Sequence, residues 1–412
     1  MRTVWRRFIP LMFLLYIVNY LDRINVGFAA LQMNQAIGLG ASAYGLGAGI
    51  FFLSYVLFEI PSNLILARVG ARRWIARIMI TWGIVSAATM FVRDERQFYV
   101  LRFLLGAAEA GFFPGLIYHL TCWFPEDARA RAVSGFMVAT VTAGIIGGPI
   151  SGALLSLHGL GGLAGWQWLF LMEGLPAIVL GVVVLRLLTD RPEQAGWLGE
   201  EERGWLVARL QAESAAMAAA HDTLRDTFAS GRVWLMALVY FTTPLCLYGV
   251  GFWLPEIIKG LSHSSDFAVG VLSAIPYLAG AIGMVLVGRH SDRTGERRWH
   301  IAGPACAGAA GFVLVGFATT PVVSLAALSL ATAGLVSVVG PFWTLATSFL
   351  RGRGAAGGIA LINSVGNIGG FVGPTLIGVV KETTHSFAAG MWVLGAALAL
   401  GGLLALAVRP AH

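Results

Sequence analysis

The chain has 412 residues, of which 57% are hydrophobic and only 12% are charged. A soluble domain carries about 25% charged residues, so the composition excludes an ordinary soluble protein and predicts an integral membrane protein. The net charge of +7 does not indicate a nucleic-acid partner, because the basic residues stand in short loops between apolar runs.

Apolar segments long enough to cross a bilayer recur twelve times. A spanning helix needs about 20 residues at about 1.5 Å rise per residue. The predicted segments are 8–31, 44–66, 74–92, 98–121, 133–156, 167–188, 232–257, 267–288, 300–318, 322–349, 355–380 and 386–408. We therefore expect an all-α membrane protein of twelve transmembrane helices, with both termini on one side.

The first segment carries two charged residues, Asp22 and Arg23, near its middle. A charge that faces lipid there costs roughly 2.5–3.5 kcal/mol, so the pair is expected to face a polar cavity or a partner. Tyr16, Asn19, Tyr20 and Arg23 share one helical face. A guanidinium binds a carboxylate with two hydrogen bonds, which predicts an organic-anion site. The alternative is that Arg23 is a structural partner of Asp22.

The fourth segment carries Arg102 and Glu109 on one face. Arg102 is expected nearer the outer end, where its side chain could reach water. A proton carrier has to exchange its proton near the working pH, and a neighbouring arginine opposes this. We therefore interpret Glu109, two turns from Arg102, as the main proton carrier, and Asp22 as the coupling switch beside Arg23.

Three further buried groups are expected to be structural. Glu59 lies towards the inner end of the second segment and would brace an inner gate. Glu173 in the sixth segment is expected in a structural ion pair. A lone histidine, His119, is a weak signal for proton transfer and is expected to be packed.

One long polar segment, 189–231, divides the chain into 1–188 and 232–412. We expect a cytoplasmic linker with an interfacial amphipathic helix. Its apolar residues at roughly helical spacing are Trp197, Leu198, Trp205, Leu206 and Leu210. Two six-helix bundles should flank it.

The two parts repeat at a constant offset. The pattern Arg-x-Gly-x-Arg-Arg-Trp at 68–74 recurs at 293–299, and Gly148-Pro149 recurs at the same separation as Gly373-Pro374. A shared offset for a loop motif and a helix motif indicates internal duplication, and two packed repeats of six helices are a transporter architecture.

The second loop copy, 288–298, resembles the signature loop of the major facilitator superfamily. In that superfamily the loop acid helps to latch the cytoplasmic side. The first copy departs from the motif, with Asn63 and Ala67 in place of the usual Gly and Asp, so the latch is assigned more to the second loop. The implied gating residues are Arg68, Gly70, Asp292, Arg293 and Gly295.

Stretches at 19–25, 102–115, 252–255 and 363–370 are similar to the anion:cation symporter family. This resemblance implies proton-coupled uptake of a small organic anion, such as a sugar acid, tartrate or an aromatic carboxylate. In the sugar-acid symporters the matching arginines hold the substrate carboxylate, and the matching Asp and Glu carry protons. The implied substrate-binding residues are Tyr20, Arg23 and Arg102, with Tyr55 added by the same resemblance; the implied proton-coupling residues are Asp22 and Glu109.

The second part has no charge in the middle of a helix. It offers Trp343, and Asn363 and Asn367 on one helical face. We expect these groups to read the hydroxyls or the ring of the substrate, while the first part handles charge and protons.

Twenty-two of the 28 Lys and Arg residues fall on the side of the termini and four on the opposite side. The positive-inside rule then places both termini in the cytoplasm of a bacterial-type inner membrane. We expect a monomer in lipid, with protons as the coupling ion. The three cysteines show no metal-binding spacing, and we expect no metal, no other cofactor and no enzymatic activity.

Two other functions remain open. The run 144–152 is similar to the Gly-Pro motif of drug/proton antiporters, which raises proton-driven efflux of an amphiphile, although close helix packing explains it equally. A sensor that binds a ligand without transporting it is the other alternative.

Overall fold

The computed structural model describes residues 1–218, 228–349 and 352–408, and within those ranges it is helical without any β-strand. Twelve helical stretches of the described chain are long and apolar enough to cross a membrane, which confirms the predicted fold class. The helices are α1 Arg2–Ile37, α2 Ala41–Val69, α3 Ala71–Ala88, α4 Glu95–Glu109, α5 Phe112–Thr121, α6 Glu126–Leu155, α7 Gly165–Leu187, α8 Glu200–Ala218, α9 Gly231–Gly251, α10 Leu254–Ser262, α11 Asp266–Thr294, α12 Trp299–Phe317, α13 Pro321–Ser337, α14 Val339–Phe349, α15 Gly352–Thr384 and α16 Ala388–Ala407.

We refer to residues 1–188 as the N-half and to residues 232–408 as the C-half. We name the membrane face that carries both chain ends the terminal face, and the opposite one the distal face. The halves meet along two equivalent interfaces, where α2 packs on α15 and α6 packs on α11. The offset of the sequence repeat maps α2 onto α11 and α6 onto α15, so the two interfaces are copies of each other.

Glycines let the two halves touch backbone to backbone near the distal face. A Cβ on Gly148 of α6 would overlap the carbonyl oxygen of Gly270 in α11. At the equivalent interface, a Cβ on Gly45 would lie 2.5 Å from the carbonyl oxygen of Pro374. Hydrogen bonds also join the two halves there. Gln32 donates to Asp266 at 2.7 Å, and the Ser42 amide donates to Glu382 at 2.6 Å. The distal side is therefore tightly closed.

The fourth predicted segment is broken into α4 and α5, where the sequence predicted one continuous helix. Gly111 adopts a φ of 86°, which favours glycine, and a Cβ there would overlap the hydroxyl of Ser62. Pro114 has no N–H to donate to the carbonyl of Ala110, and that carbonyl instead accepts from Ser62 at 2.6 Å. The break places Glu109 at the last position of α4.

The segment between the halves contains α8, which docks on the terminal side of the N-half. Leu206 is fully buried, whereas Trp205 is exposed. Trp197, ahead of this helix, stacks on Trp123 with ring centroids 5.3 Å apart. The Glu213 carboxylate accepts from the Glu126 amide at 3.1 Å, so it caps the start of α6. Residues 219–227 of the predicted linker lie outside the described residues.

Candidate functional site

Arg23 of α1 and Glu109 of α4 form a buried ion pair between the two helices. Arg23 stands about four helical turns before the distal end of α1, and Glu109 stands about four turns after the distal start of α4. At about 1.5 Å per residue both lie about 21 Å from those helix ends, so they meet at the same depth. The pair therefore forms well inside the membrane-spanning region.

The guanidinium of Arg23 also reaches the C-half. Its Nη1 donates to the hydroxyl of Tyr248 in α9 at 3.1 Å. The separation of Arg23 and Tyr248 along the chain equals the offset of the internal repeat, so the two residues occupy equivalent positions in α1 and α9. The pseudo-two-fold relation of the halves thus brings Arg23 and Tyr248 face to face. We call the region around Arg23, Glu109 and Tyr248 the centre.

A second arginine, Arg102, is buried near the pair. Its side chain is 1% exposed, so the expectation that it reaches water is wrong. One nitrogen donates to the carbonyl of Ala48 at 3.3 Å. The guanidinium carbons of Arg102 and Arg23 lie 5.0 and 5.3 Å from the centre of the Phe51 ring. The same ring therefore contacts both cations.

Several donors of these arginines are buried without an acceptor. They are Nε of Arg23 and both Nε and Nη1 of Arg102. Burying a charged donor without a partner is costly, and Glu109 is the acid that forms an ion pair with Arg23 in the described chain. The centre therefore has donors available for an additional anion.

Asp22 does not pair with its neighbour Arg23. The two side chains leave α1 about 100° apart, and Asp22 points towards α3. There it accepts from Trp82 Nε1 and Ser86 Oγ, each at 2.6 Å. Asn25 donates a third bond at 3.0 Å. The structural alternative for Arg23, as the partner of Asp22, is thereby excluded in this state.

Glu59 and Asn363 join the two halves on the terminal side of this centre. The amide of Asn363 in α15 donates to the Glu59 carboxylate in α2 at 3.1 Å, and the second carboxylate oxygen is buried without a partner. Tyr55, one turn before Glu59, is 4% exposed and has its ring 5.4 Å from the Arg23 guanidinium. Glu59 and Asn363 thus border the same centre as Arg23.

Three other predicted site residues, Tyr20, Trp343 and Asn367, have different neighbours. Tyr20 packs with Ile24 and Ala143 in a small buried cluster. Trp343 packs edge-on against Tyr240 with centroids 5.0 Å apart. Asn367 is half-buried, one turn along α15 from Asn363.

The repeated loops lie at the terminal face. Gly70 has a φ of 96° at the end of α2, and the following Arg72 amide donates to Asp190 at 2.7 Å. Asp292 pairs with Arg297 of its own half at 2.7 Å. Gly295 has a φ of 68°. The predicted latch residue therefore makes its ion pair inside the C-half in this state.

Arg68 and Arg293 have exposed side chains at the same face. His119, expected to be packed, is fully buried with its ring 5.0 Å from that of Phe8. Within the described residues, no group of acidic, histidine and cysteine side chains is arranged to hold a metal ion.

The sequence signature described as Major Facilitator Superfamily matches residues 12–374. The chain belongs to this superfamily. It is therefore a multi-pass membrane transporter rather than an enzyme.

Two curated proteins are similar to this chain in sequence, and one solved structure is similar to it in fold. A protein of Agrobacterium vitis named "Putative tartrate transporter" is 51% identical over 98% of this chain and 90% of its own length. A "Quinolone resistance transporter" of Acinetobacter baumannii is 44% identical over 98% of this chain and 93% of its own length. A bacterial homologue of the human lysosomal transporter Spinster, solved in an inward-facing and occupied conformation, has the same fold. It is 16% identical, with a TM-score of 0.79 over 97% of this chain and 96% of that one.

Sequence reasoning left Tyr248, Trp82 and Ser86 outside the predicted site. The repeat offset was a usable signal for Tyr248, because it maps Arg23 onto that position. Trp82 and Ser86 carried no signal, since a tryptophan and a serine in an apolar helix are ordinary packing residues.

Replacing Gly148 with valine should block transport without unfolding the protein. The added side chain cannot be accommodated against Gly270, and forced overpacking costs about 1–3 kcal/mol, so the distal side can no longer close. Gly303→Val is the matched control, because a Cβ at that position would meet nothing within 4 Å. Uptake into proteoliposomes and thermal melting should separate the two variants. If Gly148→Val takes up substrate as the wild type does, the close contact between Gly148 and Gly270 is not needed in the transport cycle.

Proposed function

We propose that this transporter imports a small organic anion together with protons, by alternating access to the centre between its two halves. Sugar acids, tartrate and aromatic carboxylates are the proposed substrate class. The observation that carries the proposal is the pair of buried guanidiniums, Arg23 and Arg102, which retain unpartnered donors beside one ion-paired acid, Glu109.

Charge explains why an anion suits this centre. Arg23 and Arg102 carry two positive charges, Glu109 is the acid that is ion-paired with Arg23, and the Glu59 carboxyl at the border accepts from Asn363. A carboxylate accepts two parallel hydrogen bonds from a guanidinium, so a substrate carboxylate can take the place of Glu109 beside Arg23. In this proposal Tyr248, Asn363 and Asn367 of the C-half contact the hydroxyls or ring of the substrate, and Trp343 and Tyr20 border them.

The replacement of Glu109 by a substrate carboxylate beside Arg23 also explains the proposed proton coupling. When the substrate engages Arg23, Glu109 loses its cation in a buried position, where an unpaired carboxylate is costly. Taking up a proton removes that cost. Glu109 is therefore the proposed carrier of a proton that enters with the substrate, and Asp22 takes part in coupling from the α3 side of α1.

The direction and the membrane are also proposed. The relative named as a tartrate transporter and the excess of basic residues on the terminal face favour a bacterial inner membrane with both termini in the cytoplasm. In that orientation the closed distal side faces outwards. The proposed latch at Asp292, with Arg68, Gly70, Arg293 and Gly295, would close the terminal side in the opposite state.

Electrical current from purified protein in liposomes tests the proposal. Rapid exchange into sugar acids, tartrate isomers, aromatic carboxylates and short monocarboxylates at mildly acidic pH should give current with one class. A parallel measurement of internal pH detects an electroneutral cycle. Anion uptake with no accompanying proton uptake would contradict the coupling, and no uptake of any anion would contradict the substrate class.

Proton-driven efflux of an amphiphile is the second candidate, because a relative at 44% identity is named as a quinolone resistance transporter. In everted vesicles, a pH gradient should then drive accumulation of the compound, and the compound should release protons from the lumen. Two buried arginines at the centre disfavour a cationic compound, so a neutral or anionic amphiphile is the proper test.

A further inference from the structure

A second group of buried acids lies inside the N-half, apart from the Arg23–Glu109 pair. Glu173 of α7 is 5% exposed and Asp22 of α1 is 1% exposed. The two carboxyls are close enough for their charges to interact. Neither forms an ion pair with a cation in the described residues, so the predicted structural ion pair of Glu173 is wrong.

The hydrogen bonds around Glu173 are incomplete. Ser151 of α6 donates to Glu173 Oε1 at 2.8 Å, while Oε2 is buried without any donor. The side chain of Asn25 lies near Glu173. Its Nδ2 donates to Asp22, and its Oδ1 is buried without a donor. Two buried acceptors in this group, Glu173 Oε2 and Asn25 Oδ1, therefore have no hydrogen-bond donor.

A proton on Glu173 Oε2 removes this deficit. A protonated carboxyl is uncharged and has one O–H donor, so a proton removes the buried charge of Glu173 and supplies a donor where buried acceptors lack one. Without that proton, two buried anions would lie near each other without a paired cation, which is unfavourable. The charged groups that act on Asp22 from α4 are Arg102 and Glu109. Arg102 is the cation of these two groups, and its positive charge acts on both Glu109 and Asp22.

We propose that Glu173 and Asp22, bridged by Asn25, form a second proton-binding site in which Glu173 holds the proton. Glu173 stands about two helical turns from the distal start of α7, or about 12 Å along the helix. The Arg23–Glu109 pair lies about 21 Å from the distal helix ends. The second site therefore lies between the distal face and the centre, on the side from which protons would enter. Its part in transport rests on the proposed function, but its protonation does not.

Infrared difference spectroscopy on the full-length protein in lipid tests the protonation without any substrate. We expect the C=O stretch of a buried protonated carboxyl at neutral pH. Glu173→Gln should lose one such band while any band of Glu59 remains, Asn25→Ala should shift the lost band, and Glu193→Gln, whose carboxyl is exposed in the segment between the halves, should leave it unchanged. A spectrum that Glu173→Gln leaves unchanged overturns the proposal, and so does a Glu173-dependent band that sodium ions abolish at constant pH.

Transport tests the coupling. Glu173→Gln should keep exchange of labelled substrate across the membrane but carry one proton fewer. One proton crossing one pH unit supplies about 1.36 kcal/mol, so steady-state accumulation should fall about tenfold per unit of applied pH gradient. Unchanged accumulation overturns the coupling role. If the wild-type protein carries no anion while the band still depends on Glu173, the proposed function fails and the proton site stands.

Discussion

Replacing Arg23 with alanine is expected to abolish substrate binding. Arg23 is the cation that α1 brings to the interface between the halves, where it contacts Glu109 and Tyr248. Truncating one partner of a buried, hydrogen-bonded charge pair at a binding interface costs about 2–5 kcal/mol, which corresponds to a loss of affinity of about 25-fold or more at 1.4 kcal/mol per factor of ten. Counterflow of labelled substrate in proteoliposomes measures the loss.

The alanine variant also leaves Glu109 buried without a cation, so a matched double variant is needed. Arg23→Ala with Glu109→Gln removes both charges and should fold as stably as the wild type, yet still fail to bind. Arg23→Lys keeps the charge but loses the two-bond geometry of the guanidinium, so partial binding is expected. Wild-type affinity in the double variant would show that Arg23 does not hold the substrate.

Replacing Glu109 with glutamine is expected to weaken the coupling of transport to the proton gradient. Glutamine keeps the shape of the side chain but cannot take up a proton, and it frees Arg23 for the substrate. Exchange should therefore persist, and substrate affinity should depend less on pH. Uphill accumulation should fall about tenfold per unit of applied pH gradient, because one proton fewer crosses, and Glu109→Gln combined with Glu173→Gln should show exchange alone, as measured in proteoliposomes with and without the gradient.

Glu193→Gln is the control, because it removes an exposed carboxylate between the halves. It should accumulate substrate as the wild type does. Full proton-driven accumulation by Glu109→Gln would remove Glu109 from the coupling mechanism and shift the role to Asp22. Loss of exchange as well would show that Glu109 is needed to bind the substrate or to close the cavity.

The fold class and the internal repeat could be predicted from the sequence alone. Each span is a local property, since about 20 consecutive apolar residues suffice to cross a bilayer whatever they pack against. The constant offset of the repeat was visible in two motifs, and it also relates Arg23 to Tyr248. The cost of burying a charge in lipid marked Asp22, Arg23, Arg102 and Glu109 as candidates before any contact was known.

Which of these charged groups contact each other depends on how the helices pack. Adjacent residues on a helix point about 100° apart, so Asp22 turns to α3 and Arg23 turns to the centre, although the sequence suggested a pair. The partner of Arg23 is 86 residues away, and it reaches that position because α4 ends at Glu109 and both helices place their charge at equal depth. Depth, rotation and helix breaks depend on how separate spans pack, and no local pattern encodes them. For the same reason the sequence shows Glu173 as one buried acid, while its hydrogen bond with Ser151 and the absence of an ion pair with any described cation could be known only from the packed helices.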